Sequence, residues 1–518
     1  MTADERDAAR GRVTATRRGF ILMTVWTYVM DGGQQLLTVV VMFVLAALLG
    51  PEAFGVAAMA SVYVTFIDLL QRQGMVSALI QRDDLTDAHR DSGFWLVMGT
   101  SLVVTGIGVA GAGWWADANS TPQLRGVIIA LSPLVVIKGL SVVQEALLRR
   151  QMAFKTLAHR TLGAQIAGAA VGLVGALNGW GVYALVAQQL VVGATSMVVL
   201  WSVSSWRPTL RFSRGAARDL LGFSSGAFLT SIAVFVNNRA DALLIGLFFG
   251  PTVVGIYRLG ARLVETVIAG AVGPIRSLAL PELSPHQRDP VELTRRLIRL
   301  MRLAGVAGLP LLGILVAVAD PLTQLLGGDW ESAARVAQVL CVVGAIRVVI
   351  LLDGPLLQAV GRPFVQAGLS IVAALVSAGS FVAAGLTLGA LDPSQQAVGM
   401  AAARALVYGL IICALHVFIL RRFGGIRRLA DQVRPLVRPA VVGVAAGLIG
   451  AGVDRVALGL PALAQLPLVG LTAGVVAVVL GGLLLPELRE LVARGLKTTG
   501  SQSMMSTRST SLAGEAHR

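Results

Sequence analysis

The sequence predicts an all-α membrane protein with about fourteen transmembrane helices: two six-helix lobes in parallel pseudo-repeat, followed by two further C-terminal helices. Three observations lead there. Of the 518 residues, 55% are hydrophobic and only 14% charged, against about 25% charged in a soluble domain. That is too little charge to cover a water-facing surface of this size. The apolar residues fall in long blocks, many reaching the roughly 20 residues that cross a hydrocarbon core. The basic residues, finally, alternate from loop to loop.

Taken in order, the chain opens with a polar cytoplasmic tail at 1–19. Thr16-Arg17-Arg18-Gly19-Phe20-Ile21-Leu22 has the look of a twin-arginine export signal. The apolar run after it is far longer than a signal's, and more spans follow instead of a secreted domain. Arg17 and Arg18 are better read as holding the N-terminus inside. Spans are expected at 20–48, 54–80, 93–115, 124–147, 160–178 and 181–203, which form the first lobe, 20–203. A cytoplasmic linker, 204–221, leads to spans at 222–248, 253–280, 298–320, 333–357, 365–389 and 396–420, the second lobe, 222–420. A cytoplasmic loop at 421–435 precedes the last two spans, 436–455 and 462–485, within 436–485. The Ser- and Thr-rich tail at 486–518 is expected to be disordered. In lipid every backbone group must be satisfied within its segment, so the spans are helices.

The loops give an independent check, because positive residues collect on the cytoplasmic side. With the N-terminus inside, the inner loops hold Arg82 and Arg90; Arg149, Arg150, Lys155 and Arg160; Arg207, Arg211, Arg214 and Arg218; Arg288, Arg295 and Arg296; Arg362; and Arg421, Arg422, Arg427, Arg428 and Arg434. The outer loops hold Arg455. An error in the number of spans would scramble this alternation. The net charge of +15 is thus mostly topological, with both termini inside. It does not point to nucleic acid, since no basic domain with interleaved aromatics exists.

The chain also repeats itself. Leu49-Gly50-Pro51-Glu52-Ala53-Phe54-Gly55 joins spans one and two, and Phe249-Gly250-Pro251-Thr252-Val253-Val254-Gly255 joins spans seven and eight, in the same register. Gly bends freely and Pro cannot continue the preceding helix. Six spans separate the copies, so the two halves share an orientation. Parallel repeats of this kind are a transporter architecture with the site between the halves.

The sequence holds no Walker A loop, no HExxH zinc motif, no nucleophile elbow and no loop long enough for a soluble catalytic domain. No catalytic residue, metal site or cofactor is expected. Cys341 and Cys413 read as small core side chains, and His416 as a satisfied packing residue. The glycines and alanines of Gly163-Ala164-Gln165-Ile166-Ala167-Gly168 read as close helix packing.

Charges deep in the spans are costly, and normally face a bundle interior or a watery cavity. They are Asp31, Asp68, Arg72, Lys138, Arg239, Asp241, Arg258, Arg262, Glu265, Arg347, Asp353 and Arg404. Basic residues predominate, so a cavity they line favours anions. Arg258 and Arg262 share one face of span eight and form either an anion-binding face or an ion-pair cluster offset by Glu265. Arg239, Arg347, Arg404, Lys138, Asn237 and Asn238 complete the candidate substrate-binding set. Asp68, Arg72, Asp31, Asp241 and Glu265 are the candidates for gating or coupling; Asp68 and Arg72, four apart on span two, read equally as an intrahelical ion pair that lets both charges enter the membrane.

The stretch LGPEAFGVAAMASVYVTFIDLLQRQGMVSALIQR, residues 49–82, resembles the polysaccharide-export flippases of the MOP superfamily. It is most similar to the lipopolysaccharide, colanic-acid and teichuronic-acid branch. The cues are the LGPxxFG turn, the small-residue helix after it and the SALIQR ending. The resemblance implies a cavity between two six-helix lobes. It also implies transfer of undecaprenyl-diphosphate-linked oligosaccharide from the inner to the outer leaflet of the plasma membrane, with a polysaccharide polymerase and glycosyltransferases of the same pathway as partners. It carries over no individual site residue. Two alternatives stay open: a multidrug or metabolite antiporter of the same superfamily, and a membrane enzyme of glycan assembly.

Overall fold

The computed structural model describes residues 34–66, 75–80, 82 and 84–485, apart from 36, 77 and 427; the side chains of 154, 221–234 and 236–238 are also outside the description. The expectations for both tails, and for Asp31, Asp68, Arg72 and the side chains of Asn237 and Asn238, therefore lie outside the described residues.

Every regular element among the described residues is helical. In chain order they are α1 Leu37–Phe66, α2 Asp87–Ala118, α3 Gln123–Gly139, α4 Val142–Arg150, α5 Phe154–Leu177, α6 Val182–Val203, α7 Arg214–Phe249 and α8 Pro251–Leu283. Then come α9 Pro290–Gln324, α10 Glu331–Ile350, α11 Asp353–Ala359, α12 Pro363–Thr387, α13 Pro393–Val407, α14 Cys413–Arg422, α15 Leu429–Val456 and α16 Ala462–Leu484. A π-helical turn, Tyr408–Ile412, joins α13 to α14.

Among the described residues, 12 helical runs are long and apolar enough to cross a membrane. α1 is counted once there, although it turns at Gly50, where φ is 75°. α7 is a single 36-residue helix over the expected seventh span. With that turn and that helix, the architecture agrees with the expected number of about fourteen. α7 also starts earlier than 222, because Ser213 caps it by accepting the Ala216 N–H at 3.3 Å. The linker ahead of it is pinned to α2: the Thr209 N–H donates to Asp91 at 3.1 Å, the Ser213 N–H to Ser92 at 2.9 Å, and the Trp95 indole to the Thr209 carbonyl at 2.7 Å.

Two features of the repeat are visible in the backbone. Gly250 mirrors Gly50 with φ 78°, a region open to Gly and costly for other residues. The two turns also touch: a Cβ on Gly55 would lie 1.7 Å from the Pro251 carbonyl oxygen, and one on Gly255 would lie 2.0 Å from that of Pro51. The second feature is a break in the fourth span of each half. α3 stops at Gly139 and α4 resumes at Val142; α10 stops at Ile350 and α11 resumes at Asp353. Lys138 and Arg347 each sit in the last turn before the break. After it, Leu147-Leu148 and Leu356-Leu357 lead to a left-handed residue, Met152 at φ 56° and Gly361 at φ 71°. Lys138 and Arg347, the two Leu-Leu pairs, and Met152 and Gly361 are each 209 residues apart, within two residues of the offset of the helix ends, so Lys138 and Arg347 are equivalent positions.

By contacts the chain forms two compact units. One takes the chain up to Arg262 with Leu326–Val336 and Ala367–Val407; the other takes Leu263–Leu325, Ala337–Gln366 and the rest from Tyr408. This division cuts across the lobe boundaries read from the sequence, and the six-helix lobes remain a proposal. In the first unit, buried Trp330 donates its indole N–H to the Ala46 carbonyl at 3.0 Å and meets Phe54 edge-on. In the second, α15 lies against α9 with Gly443 and Gly313 backbone to backbone.

Candidate functional site

The first unit holds two groups of polar side chains within its spans. One is a pocket of about 330 Å³ at the break between α3 and α4. Lys138 comes to it from α3, Arg160 and Gln165 from α5, Gln188 and Gln189 from α6, and Thr38 from α1. α5 and α6 close tightly beside it, since a Cβ on Gly168 would lie 2.9 Å from the Gln188 carbonyl oxygen and one on Gly172 3.0 Å from the Gln188 Cβ. The small-residue reading of 163–168 is thereby met at Gly168, whereas Gly163 faces open space.

Behind the pocket wall, Glu145 on α4 has a side chain only 3% exposed. Its Oε2 accepts from Arg160 at 3.2 Å and its Oε1 from Arg149 at 2.7 Å. A buried carboxylate needs such partners, and Glu145 in turn fixes the guanidinium of Arg160 at the pocket. Glu145, Arg160 and the three glutamines were not among the sequence candidates. Glu145 lies within the expected fourth span, and its charge was the available signal. Arg160 sits at the edge of the fifth span and reads as a loop charge.

The second group joins α7, α8, α12 and α13. Asp241 on α7, with no exposed side-chain surface, accepts through Oδ2 from Arg258 of α8 at 3.2 Å and from Arg404 of α13 at 3.1 Å. Its other oxygen accepts the Ala242 N–H at 2.8 Å. Arg404 also donates to the Tyr257 hydroxyl at 3.2 Å and lies 5.9 Å from the Phe381 ring centre. Tyr257 and Phe381 meet edge to face. The cluster thus carries two positive charges around one negative charge in a setting closed by aromatic rings, where electrostatic contacts are strong.

This bears on the reading of span eight. Arg258 is engaged by Asp241 on the neighbouring helix. Of the two expectations for Arg258 and Arg262, an ion-pair cluster gains a partner in Asp241, and an anion-binding role remains a proposal. The structure brings Asp241, Arg258 and Arg404 together, and puts Lys138 in the pocket. Arg239 and Arg262 are half-buried on α7 and α8. Glu265 and Arg347 are half-buried in the second unit. There His416, read as a satisfied packing residue, has a carboxylate partner: Nδ1 lies 2.8 Å from Asp353 Oδ1. No group of three potential metal ligands occurs among the described residues.

Comparison with known proteins adds four findings. The family described as "Polysaccharide biosynthesis protein" matches residues 44–335. The lipopolysaccharide biosynthesis protein WzxC of Escherichia coli is 27% identical over 369 residues, 68% of this chain and 74% of that protein. The teichuronic acid biosynthesis protein TuaB of Bacillus subtilis is 22% identical over 57% of this chain, a stretch that spans 62% of TuaB's own length. Among solved structures, a lipid II flippase MurJ in an inward closed conformation superposes with a TM-score of 0.67 at 13% identity, covering 91% of this chain and 99% of that one. At that identity the likeness is one of fold.

Proposed function

The chain, a multi-pass membrane protein, belongs to the polysaccharide biosynthesis protein family, and on that premise we propose that it is a flippase. It moves a lipid-linked oligosaccharide from the inner to the outer leaflet of the plasma membrane by alternating access, without changing it chemically. The substrate is a polyprenyl diphosphate carrying a sugar chain destined for a cell-surface polysaccharide. Both termini face the cytoplasm, and the polymerase and glycosyltransferases of the pathway work on either side of the step.

The observation that carries this reading is the cationic, amide-lined pocket inside the spans. Lys138 and Arg160 supply positive charge for a diphosphate, and arginine's planar fork suits phosphate oxygens. Gln165, Gln188 and Gln189 offer both donors and acceptors, as sugar hydroxyls require. At about 330 Å³ the pocket is at the small end of the ligand-pocket range, roughly 300–1,000 Å³. It therefore takes the head end of the substrate, the diphosphate with its first sugar. Arg404, Arg258 and Asp241 act as a latch between α13, α8 and α7. Arg262, Arg239 and Arg347 remain candidate contacts along the path, with Glu265 a candidate for gating.

The test is flipping of a fluorescent lipid-linked oligosaccharide by full-length protein in vesicles. Wild type should expose the label to an external quencher. Lys138→Ala should slow this at least about tenfold, the equivalent of ~1.4 kcal/mol, with unchanged thermal unfolding, and Lys138→Arg should keep most of the rate. Transport of cationic dyes with no flipping would overturn the proposal in favour of an antiporter.

A further inference from the structure

The second unit carries a cavity of about 450 Å³ between α9, α15 and the end of α16, at the end of these helices where the Arg-rich loop 421–435 lies. Arg302 of α9 and Arg434 and Arg438 of α15 line it, with Thr294, and Asp431 as the one carboxylate. The sequence fixes the depth of these groups. After Arg302 the chain of α9 holds no charged residue until Asp320, and after Arg438 α15 holds none until Asp454. α9 is 35 residues long and α15 28, more than the roughly 20 that cross the hydrocarbon. Arg302 and Arg438 are thus the last charges before the hydrocarbon begins, at the level of lipid headgroups. All three arginines are exposed rather than enclosed. Beside them on α15 runs an exposed apolar stripe, Val437, Val441, Val444 and Leu448.

We propose that this cavity binds one anionic phospholipid, whose phosphate is held by Arg302, Arg434 and Arg438 while its acyl chains lie along the valine stripe of α15. Cation above and apolar surface below match the two ends of such a lipid. Basic pockets between transmembrane helices are a known way of holding acidic headgroups. Arg434 and Arg438 are four apart on one helix, a spacing at which like charges repel, and a phosphate between them removes that repulsion. A lipid diphosphate shares the headgroup chemistry. The exposure of all three arginines and of the apolar stripe beside them favours the bulk phospholipid, and the experiment separates the two.

Full-length protein in neutral detergent is mixed with phosphatidylglycerol, phosphatidylcholine or farnesyl diphosphate, and bound lipid is counted by native mass spectrometry. Phosphatidylglycerol should be retained and phosphatidylcholine should not. The Arg434→Ala, Arg438→Ala double variant should bind it at least about tenfold more weakly, and the double Lys variant should fall between. Asp431 is exposed and neutralising it does not endanger folding, so Asp431→Asn is the second arm: removing a negative charge from the cavity should tighten binding. Unchanged phosphatidylglycerol retention in the double alanine variant together with no gain from Asp431→Asn would overturn the proposal. So would retention of farnesyl diphosphate in preference to phosphatidylglycerol through the same arginines.

Discussion

Asp241 receives two guanidiniums through one oxygen, and its loss leaves two buried cations facing each other. Removing one member of a buried ion cluster costs about 3–5 kcal/mol, whereas replacing all members by apolar residues is often neutral. Asp241→Ala should therefore lower the unfolding temperature and the yield sharply, and Asp241→Ala with Arg258→Met and Arg404→Met should restore both. If the triple variant is stable but does not flip substrate, the cluster serves the transport cycle and not only the fold. This grouping was only half legible in the sequence. Each member stood out as an intramembrane charge, but Asp241 and Arg404 are 163 residues apart, and pattern along a chain does not reveal which distant charges meet. Lys138 was legible for the same reason that it is costly, a charge in an apolar run. Gln165, Gln188 and Gln189 were not, because an amide in a span carries a weaker penalty and no sign.

At the scale of elements, the left-handed residues that follow the broken spans make an internal control. Gly361 adopts φ 71° without strain, while exposed Met152 adopts 56° at its equivalent, a conformation that costs an L-residue roughly 1–2 kcal/mol. Met152→Gly should raise the unfolding temperature and Gly361→Ala should lower it, each by the equivalent of about 1 kcal/mol, with transport unaffected in the first case. The breaks themselves were not legible: 333–357 and 124–147 each read as one mainly apolar run with a few charges, and hydropathy gives no sign of a turn within a span. What marks them is the cation at their edge and the left-handed residue about ten positions on. The Gly50 and Gly250 turns were legible because Gly followed by Pro is a chemical signal, and the backbone uses both as such.

At the scale of the whole molecule, the bilayer makes the sequence readable, since length, apolarity and loop charge must all agree. That is why the helical architecture followed from the sequence while the assignment of side chains to sites did not. Reporter fusions test the orientation: Gly250 and Asp392 should report the periplasm, and Arg211 and Arg427 the cytoplasm. A reversed pattern would invert the proposed direction of transport and move the phospholipid cavity to the outer leaflet. The reciprocal contact of the two Gly-Pro turns has a further consequence. Each turn gives its partner what it receives, Pro251 to Gly55 and Pro51 to Gly255, which is the defining property of an isologous interface between two copies of one subunit. The junction is in effect a homodimer interface carried within one chain, the arrangement expected of a duplicated and fused half-length ancestor. Cutting the chain between Ser205 and Arg211 and co-expressing the pieces should therefore yield a complex that co-purifies, and Gly255→Val, which plugs the seam on one side, should separate them.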